Sequence, residues 1–257
     1  MSRSAVTHTG CLVLVASASS GVNECVAMAL AENGARLVPG ARRQDRLEAL
    51  AKKIEMAGGE DMSALLDVTD EASIIAAIDA PEKQFGFVDT VRANAGVNVD
   101  GPARKITMDQ FDAVQATSSR NVFMTVRDAG RRLIAAGPNV SAGGRILVLA
   151  YMGGLHALEG LVAYCASKAS AVTLARGFAN EWARFCISVN ALCPGYMLIG
   201  IGVDCFESEP GRKMITTLPR RRLMPAETLL PSALYLTSNE GAHATVAVLT
   251  TNDRQIV

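Results

Sequence analysis

Short apolar runs alternate along the chain with longer stretches whose apolar residues recur every three or four positions. A continuous run such as Leu12 to Ala16 is typical of a parallel strand that is covered on both faces. The spacing of Val22, Val26 and Leu30 instead predicts a helix, which Gly34 closes as a C-cap. Apolar runs of the first kind predict seven strands, at residues 12–16, 35–38, 63–66, 88–91, 145–150, 187–192 and 246–251.

Helices are predicted between these strands. Pro39 and Gly40 are expected to end the second strand, and a capping-box pattern at Thr107 predicts a long helix to residue 135. A second long helix covers 162–185, and Pro225 starts the last one, to 236. This alternation predicts an α/β fold, a Rossmann-type doubly wound parallel sheet. We expect a single domain over residues 1–257, with the unperiodic segment 196–219 as a flexible flap over the substrate.

The composition excludes several classes of function. With 25 basic and 25 acidic residues, the formal net charge is +0, so the chain lacks the basic surplus of a nucleic-acid binder. A hydrophobic content of 49% with 19% charged residues excludes a disordered chain. No apolar stretch approaches the roughly 20 residues of a membrane span. The histidines and cysteines lack metal-ligand spacing, so we expect no metal site and reduced thiols in a cytoplasmic protein.

Tyr164 and Lys168 are the residues whose chemistry is most informative. Four positions apart on a helix, they share one face. A nearby ammonium favours the ionised form of a phenol, whose reference pKa is about 10. Such a pair can pass a proton to or from a carbonyl or alcohol oxygen while hydride moves at the carbon. The alternative is a surface tyrosine and lysine with no role.

The chain resembles the short-chain dehydrogenase/reductase family over nearly its whole length. The resemblance lies in four motifs that occur in the family's order, at Leu66 to Asp70, Asn94 to Gly96, Tyr164 to Lys168 and Val189 to Gly195. The resemblance implies that Tyr164 is the catalytic acid/base, and that Lys168 holds the nicotinamide ribose and lowers the tyrosine pKa. It further implies that Asp67 and Val68 flank the adenine and that Pro194 and Gly195 flank the nicotinamide. The remaining cofactor-binding residues implied by these motifs are Ser17, Ser20, Gly21, Val22, Arg42, Asn94, Ala95 and Gly96.

The end of the second strand bears on which dinucleotide is bound. An acidic residue there would accept hydrogen bonds from the adenosine ribose and favour NAD. The chain instead has Ala41 followed by Arg42 and Arg43, and a guanidinium suits a 2′-phosphate. We therefore predict NADP, with NAD as the alternative. The other interpretation is that the two arginines are solvated charges that lead into a helix.

Several family positions hold other residues. Ser17 and Asn23 replace two of the three glycines of the family's turn, and Tyr151 stands at the position of the catalytic serine. A positive φ at Ser17 would cost on the order of 1–3 kcal/mol. Ser118 replaces the helix asparagine thought to support a proton relay. Further replacements are Ala93 in the Asn-Asn-Ala-Gly motif, Ile199 near the nicotinamide amide, and Asn252-Asp253-Arg254 after the last strand.

Two functions remain open at this point. The first is an NADP-preferring oxidoreductase acting on a small-molecule carbonyl or alcohol, with Tyr151, Met152 and His156 on the substrate side. The second is an impaired or inactive family member that keeps the fold as a binding or assembly protein. By the family resemblance we also expect a homo-oligomer, a dimer or a homotetramer, formed through the two long helices.

Overall fold

A parallel sheet lies at the centre of the molecule, covered by helices on both faces. The computed structural model describes residues 6–19, 21–199 and 206–256. The strands of the sheet are β1 Leu12–Ala16, β2 Arg36–Ala41, β3 Glu60–Asp61, β4 Ala64–Leu65, β5 Thr90–Ala93, β6 Arg145–Leu149, β7 Ser188–Pro194 and β10 Val248–Thr251; β8 Met197–Leu198 and β9 Met224–Pro225 form a separate parallel pair. The strand order in the sheet is β10-β7-β6-β5-β1-β2-β3, with β4 also paired to β2.

Helices pack on each face through small and aliphatic side chains. The helices are α1 Gly21–Glu32, α2 Gln44–Met56, α3 Glu71–Phe85, α4 Met108–Gln115, α5 Asn121–Ala135, α6 Pro138–Ser141, α7 Val162–Trp182, α8 Glu209–Thr217 and α9 Leu230–Thr237. One face of the sheet carries α1, α2 and α9, and the other carries α3, α5 and α7. On α7 the residues turned to the sheet are Ala171, Ala175 and Ala179, which lets the helix lie close to the strands.

The second strand is longer than predicted. It continues through Pro39 and Gly40 to Ala41, whereas the proline was expected to end it. Proline is tolerated where its missing N–H falls outside a ladder. On the outer side β2 pairs with β3 at Leu37 and with β4 at Gly40, so Pro39 lies between the two short ladders.

Three other predicted elements differ in detail. The strand expected at 63–66 is only two residues long, as β4, and a second two-residue strand, β3, precedes it outside the predicted range. The long helix expected over 107–135 is interrupted by a π-turn at Ala116–Arg120, although Thr107 caps it as predicted, in a complete capping box with Gln110. Pro225 lies in β9 and precedes a 3-10 turn rather than opening α9. Turns of the π type inside helices are frequent at functional sites, which draws attention to this part of the chain.

The segment predicted as a flap contains regular structure where it is described. It includes β8, which pairs with β9, and α8, which Ser208 caps. Residues 200–205 lie outside the described part, so the flexibility of the flap stays a prediction. Within the described ranges, no helix is both long and apolar enough to cross a bilayer.

Candidate active site

The candidate site lies at the carboxyl ends of β1, β5, β6 and β7. The chain runs outward from β1 to β2 and then returns to the other side of β1 to form β5, so the strand order reverses between β1 and β5. In open parallel sheets a crevice forms at such a reversal, and ligands bind there. Most of the predicted site residues follow these four strands.

The turn after β1 contains two residues with a positive φ, of which only one is a glycine. Ser17 has a φ of 59° and Gly21 a φ of 62°, both in the left-handed region. For serine that conformation costs about 1–3 kcal/mol. Among the described residues, a Cβ on Gly21 would meet nothing nearer than the Ile199 side chain at 3.8 Å, which leaves room for a ligand close to the backbone at the start of α1. Val22 is buried beneath it, and Ser20 lies outside the described residues.

The residues after β2 and β4 lie at the next part of the same edge. Arg42 is exposed, and its charge acts on the Asp67 carboxyl. Hydrogen bonds from the backbone N–H and the hydroxyl of Thr69 lower the pKa of Asp67, with a smaller contribution from Arg42. Arg43 turns back to the β1 turn and donates to the Ser19 hydroxyl at 3.0 Å. Val68 is buried next to this carboxylate.

Tyr164 and Lys168 lie one turn apart near the start of α7, as predicted. The Lys168 Nζ is 5.4 Å from the centre of the Tyr164 ring and donates to the Leu149 carbonyl at 3.3 Å. Burial lowers the pKa of Lys168 to about 8. Burial, with a smaller effect of Cys165, raises the pKa of Tyr164 to about 12. Desolvation of the phenolate is the larger cause, and it acts in the opposite direction to the lowering of the tyrosine pKa that the family resemblance implies.

The loop after β5 lies against both Ser118 and Lys168. A Cβ on Gly96 would lie 3.2 Å from the Lys168 Nζ and 3.5 Å from the Ser118 Oγ. Ser118 lies fully buried in the π-turn, and its hydroxyl bonds both the N–H and the carbonyl of Val97. Asn94 and Ala95 connect this loop to β5. Ser118 therefore holds the loop beside the lysine.

Pro194 and Gly195 are buried at the end of β7, where a residue that was not predicted covers them. Gln255 accepts a hydrogen bond from the Tyr196 N–H at 2.5 Å and donates to the Tyr196 carbonyl at 3.1 Å. A Cβ on Gly195 would overlap the Gln255 side chain. Only a glycine at position 195 lets the C-terminal segment close on this loop.

The three residues predicted on the substrate side, Tyr151, Met152 and His156, lie in different surroundings. The Tyr151 ring packs 5.6 Å from the Tyr164 ring and 6.1 Å from the Tyr196 ring, centre to centre, and Tyr196 in turn meets Phe206 at 5.8 Å. Burial and the neighbouring tyrosines raise the pKa of Tyr151. Met152 has no exposed surface and lies in the core, while His156 is exposed. Tyr151 is thus the predicted substrate residue that contacts Tyr164.

Sequence reasoning also missed Arg92, which lies fully buried on β5 and bonds Asn23. The strand was predicted over 88–91, whereas β5 covers Thr90–Ala93 and includes Arg92. The available signal was an arginine between the apolar residues Val91 and Ala93 at the end of a predicted buried strand. No group of metal-ligating side chains is found among the described residues.

A dinucleotide fits the chemistry of these groups. The start of α1 presents open backbone above Gly21, which suits a diphosphate at a helix N-terminus. Lys168 carries three N–H donors and uses one on the Leu149 carbonyl, which leaves donors for ribose hydroxyls. The exposed Arg42 leaves a cation at the end of β2 for an adenosine phosphate.

Comparison with known proteins agrees with this geometry. The family model for short chain dehydrogenases matches residues 11–209. D-threitol dehydrogenase from Mycolicibacterium smegmatis is 30% identical over 233 residues, covering 91% of this chain and 88% of the relative. Gluconate 5-dehydrogenase from Gluconobacter oxydans is 26% identical, covering 94% of this chain and 93% of the relative.

Solved structures show the same fold. A short-chain type dehydrogenase/reductase from Mycobacterium marinum superposes with a TM-score of 0.89 at 27% identity, covering 96% of each chain. A chain from Beutenbergia cavernae, whose structure has NADP bound at low occupancy, has a TM-score of 0.88 at 24% identity and covers 96% of this chain and 97% of its own.

Proposed function

Since the chain belongs to the short-chain dehydrogenase/reductase family, we propose that it is an NAD(P)(H)-dependent oxidoreductase that interconverts a carbonyl and a secondary alcohol. The observation that carries the proposal is the placement of Tyr164 and Lys168 on one turn of α7, beside the carboxyl ends of β6 and β7. The crevice opened by the strand reversal between β1 and β5 lies at the same carboxyl edge of the sheet.

Tyr164 acts as the acid/base in this proposal. The bound dinucleotide supplies or accepts the hydride. In reduction the Tyr164 hydroxyl donates its proton to the carbonyl oxygen, and in oxidation the Tyr164 phenolate accepts the alcohol proton. With a pKa of about 12, the phenol is fully protonated at neutral pH and ready to donate. Lys168 places its ammonium against the ring and stabilises the phenolate left behind.

The remaining predicted residues are proposed to hold the cofactor. Ser17, Gly21 and Val22 form the diphosphate turn with Ser20, while Asp67 and Val68 flank the adenine. The loop from Asn94 through Ala95 to Gly96 and the pair Pro194 and Gly195 line the nicotinamide half. The substrate is a small molecule that reaches Tyr164 past Tyr151, with His156 at the outer edge and segment 196–219 as the flap.

NADP is the proposed cofactor, because Arg42 is exposed beside Asp67 and no carboxylate occupies position 41. Binding itself is tested by titrating the wild-type protein with NADPH or NADH and measuring the nicotinamide fluorescence. If neither dinucleotide bound at millimolar concentration, the proposed function would be wrong. We expect Arg42→Ala to weaken NADPH about tenfold, by loss of a charge-assisted bond to phosphate, and to leave NADH within twofold. Arg104→Ala, which removes another exposed arginine, serves as the control; equal weakening of both dinucleotides by Arg42→Ala would contradict the assignment.

A homo-oligomer, dimer or tetramer, is proposed to form through α4, α5 and α7. Phe111 and Phe123 expose 36% and 40% of their surface on this side, and the Phe123 ring stacks on Phe178 at 5.7 Å. Large exposed aromatic side chains are enriched in interfaces. We expect light scattering to give two or four times the 27.0 kDa chain mass, and Phe123→Lys to lower it. A clean monomer for the wild type would contradict the assembly.

The second candidate is an impaired or inactive family member, and the packing of Tyr151 favours it. A tyrosine stands at the family's serine position, and its ring lies against Tyr164 rather than presenting a hydroxyl close to the backbone. Dinucleotide binding without turnover of any alcohol or ketone, including the D-threitol and gluconate named for relatives, would support this candidate.

A further inference from the structure

Arg92 is a buried arginine in the middle of the parallel sheet, which is an unusual place for a charge. Its register partners are Val15 on β1 and Leu147 on β6, both in the core beneath α1, so the guanidinium points to that helix. It donates from Nη1 to the Asn23 side-chain oxygen, while Nε and Nη2 are buried with no partner among the described residues. Burial lowers its pKa to about 9. Burying such a cation without a carboxylate is costly, so its presence requires an explanation.

Asn23 connects this arginine to the turn after β1. Its side-chain oxygen accepts from both Arg92 and Asn94, and its Nδ2 donates to the Ser17 carbonyl at 3.1 Å and to the Asn94 carbonyl at 3.3 Å. Asn23 thereby joins the ends of β1 and β5, the two strands between which the sheet order reverses. We call Arg92, Asn23, Asn94 and the Ser17 carbonyl the buried clip.

The buried clip acts on the residue whose backbone is strained. Ser17 has a left-handed φ of 59°, a conformation that glycine adopts without cost and serine does not. A hydrogen bond from Asn23 to the Ser17 carbonyl fixes the orientation of the peptide that follows it. The turn therefore keeps a shape open to a ligand although Ser17 and Asn23 occupy glycine positions.

We infer that Arg92 and Asn23 are positioning residues for the dinucleotide diphosphate, an inference that rests on the proposed function. Asn23 holds the turn at Ser17, while Arg92 orients Asn23 and places a positive charge beneath the first turn of α1. A diphosphate at that helix terminus faces the N–H groups of the helix and, behind them, a cation in a medium of low dielectric constant. The charge that is costly in the free protein then stabilises the bound anion.

Arg92→Met tests the inference, because methionine keeps much of the side-chain length and removes the charge and the donors. We expect the Kd of NADPH, measured by nicotinamide fluorescence, to rise about tenfold. We expect the thermal midpoint to stay at or above the wild-type value, since a partly unpartnered buried cation is lost. Amide hydrogen exchange of the cofactor-free protein should become faster at residues 17–23. An unchanged Kd together with unchanged exchange overturns the inference.

Two further variants separate positioning from general stability. Asn23→Gly combined with Arg92→Met removes both halves of the buried clip and restores glycine to the turn, so its Kd should be lower than that of Arg92→Met, while the lost positive charge keeps it above wild type; a Kd equal to or above that of Arg92→Met counts against coupling through Asn23. Arg145→Met makes the same change at a buried strand arginine that bonds the Gly144 carbonyl at 2.9 Å, at the opposite end of the sheet. It should lower the thermal midpoint and leave the Kd unchanged.

The exchange measurement requires no cofactor, so failure of the inference and failure of the proposed function can be distinguished. Faster exchange at residues 17–23 in a protein whose wild type binds neither NADPH nor NADH would establish the clip and overturn its role toward a diphosphate. A wild type that binds NADPH, with an Arg92→Met variant of equal affinity, overturns the inference and leaves the proposed function intact.

Discussion

Tyr164→Phe should abolish turnover while leaving dinucleotide binding intact. Phenylalanine keeps the ring that contacts Tyr151 and Lys168 but removes the proton that the reaction transfers. Loss of a positioned acid/base costs about 10²–10⁴-fold in rate. We therefore expect kcat for ketone reduction to fall by at least 100-fold and the Kd of NADPH to change less than threefold. Fixed-time product assays measure kcat, and nicotinamide fluorescence measures the Kd of NADPH.

A matched control is available on another helix. Tyr235 lies on α9 with 44% of its surface exposed, so Tyr235→Phe removes a phenol hydroxyl away from the crevice and should leave kcat unchanged. If Tyr164→Phe kept wild-type turnover, another group would have to supply the proton. If it lost NADPH binding together with turnover, the ring would have a structural role.

The sheet and the proximity of Tyr164 to Lys168 were predictable because each depends on local pattern. Continuous apolar runs such as Leu12–Ala16 have no explanation except burial on both faces, and their alternation with helices leaves few topologies. Tyr164 and Lys168 are four residues apart, so the helix alone brings them together. Their proximity required no knowledge of the rest of the fold.

Contacts between distant segments could not be predicted in the same way. Pro39 was expected to end β2, and only the division of the edge strand into β3 and β4 explains why it does not. Gln255 reaches Tyr196 across a sequence separation of 59 residues. The raised pKa of Tyr164 depends on desolvation by the whole crevice, whereas the sequence indicated only the neighbouring ammonium.

Tyr151 is the residue whose replacement should change activity in the opposite direction. Its ring occupies the space beside Tyr164 and meets Tyr196 on the other side, so a carbonyl substrate must share this space with an aromatic side chain. The pKa of Tyr151 is raised by burial and by the surrounding tyrosines, so its phenol stays protonated. A short hydroxyl at this position would instead lie near the backbone at the end of β6.

We therefore expect Tyr151→Ser to raise kcat for a ketone by at least tenfold, because a single well-placed donor to the reacting oxygen contributes roughly 10²–10³ in rate. Tyr151→Ala opens the same space without a hydroxyl and is the matched control. Steady-state kinetics of the two variants separate the effects: a gain shared equally by both would mean that the ring only obstructed the substrate. A loss of turnover in both would show that this chain uses Tyr151 itself, and that its site works with a tyrosine where the family has a serine.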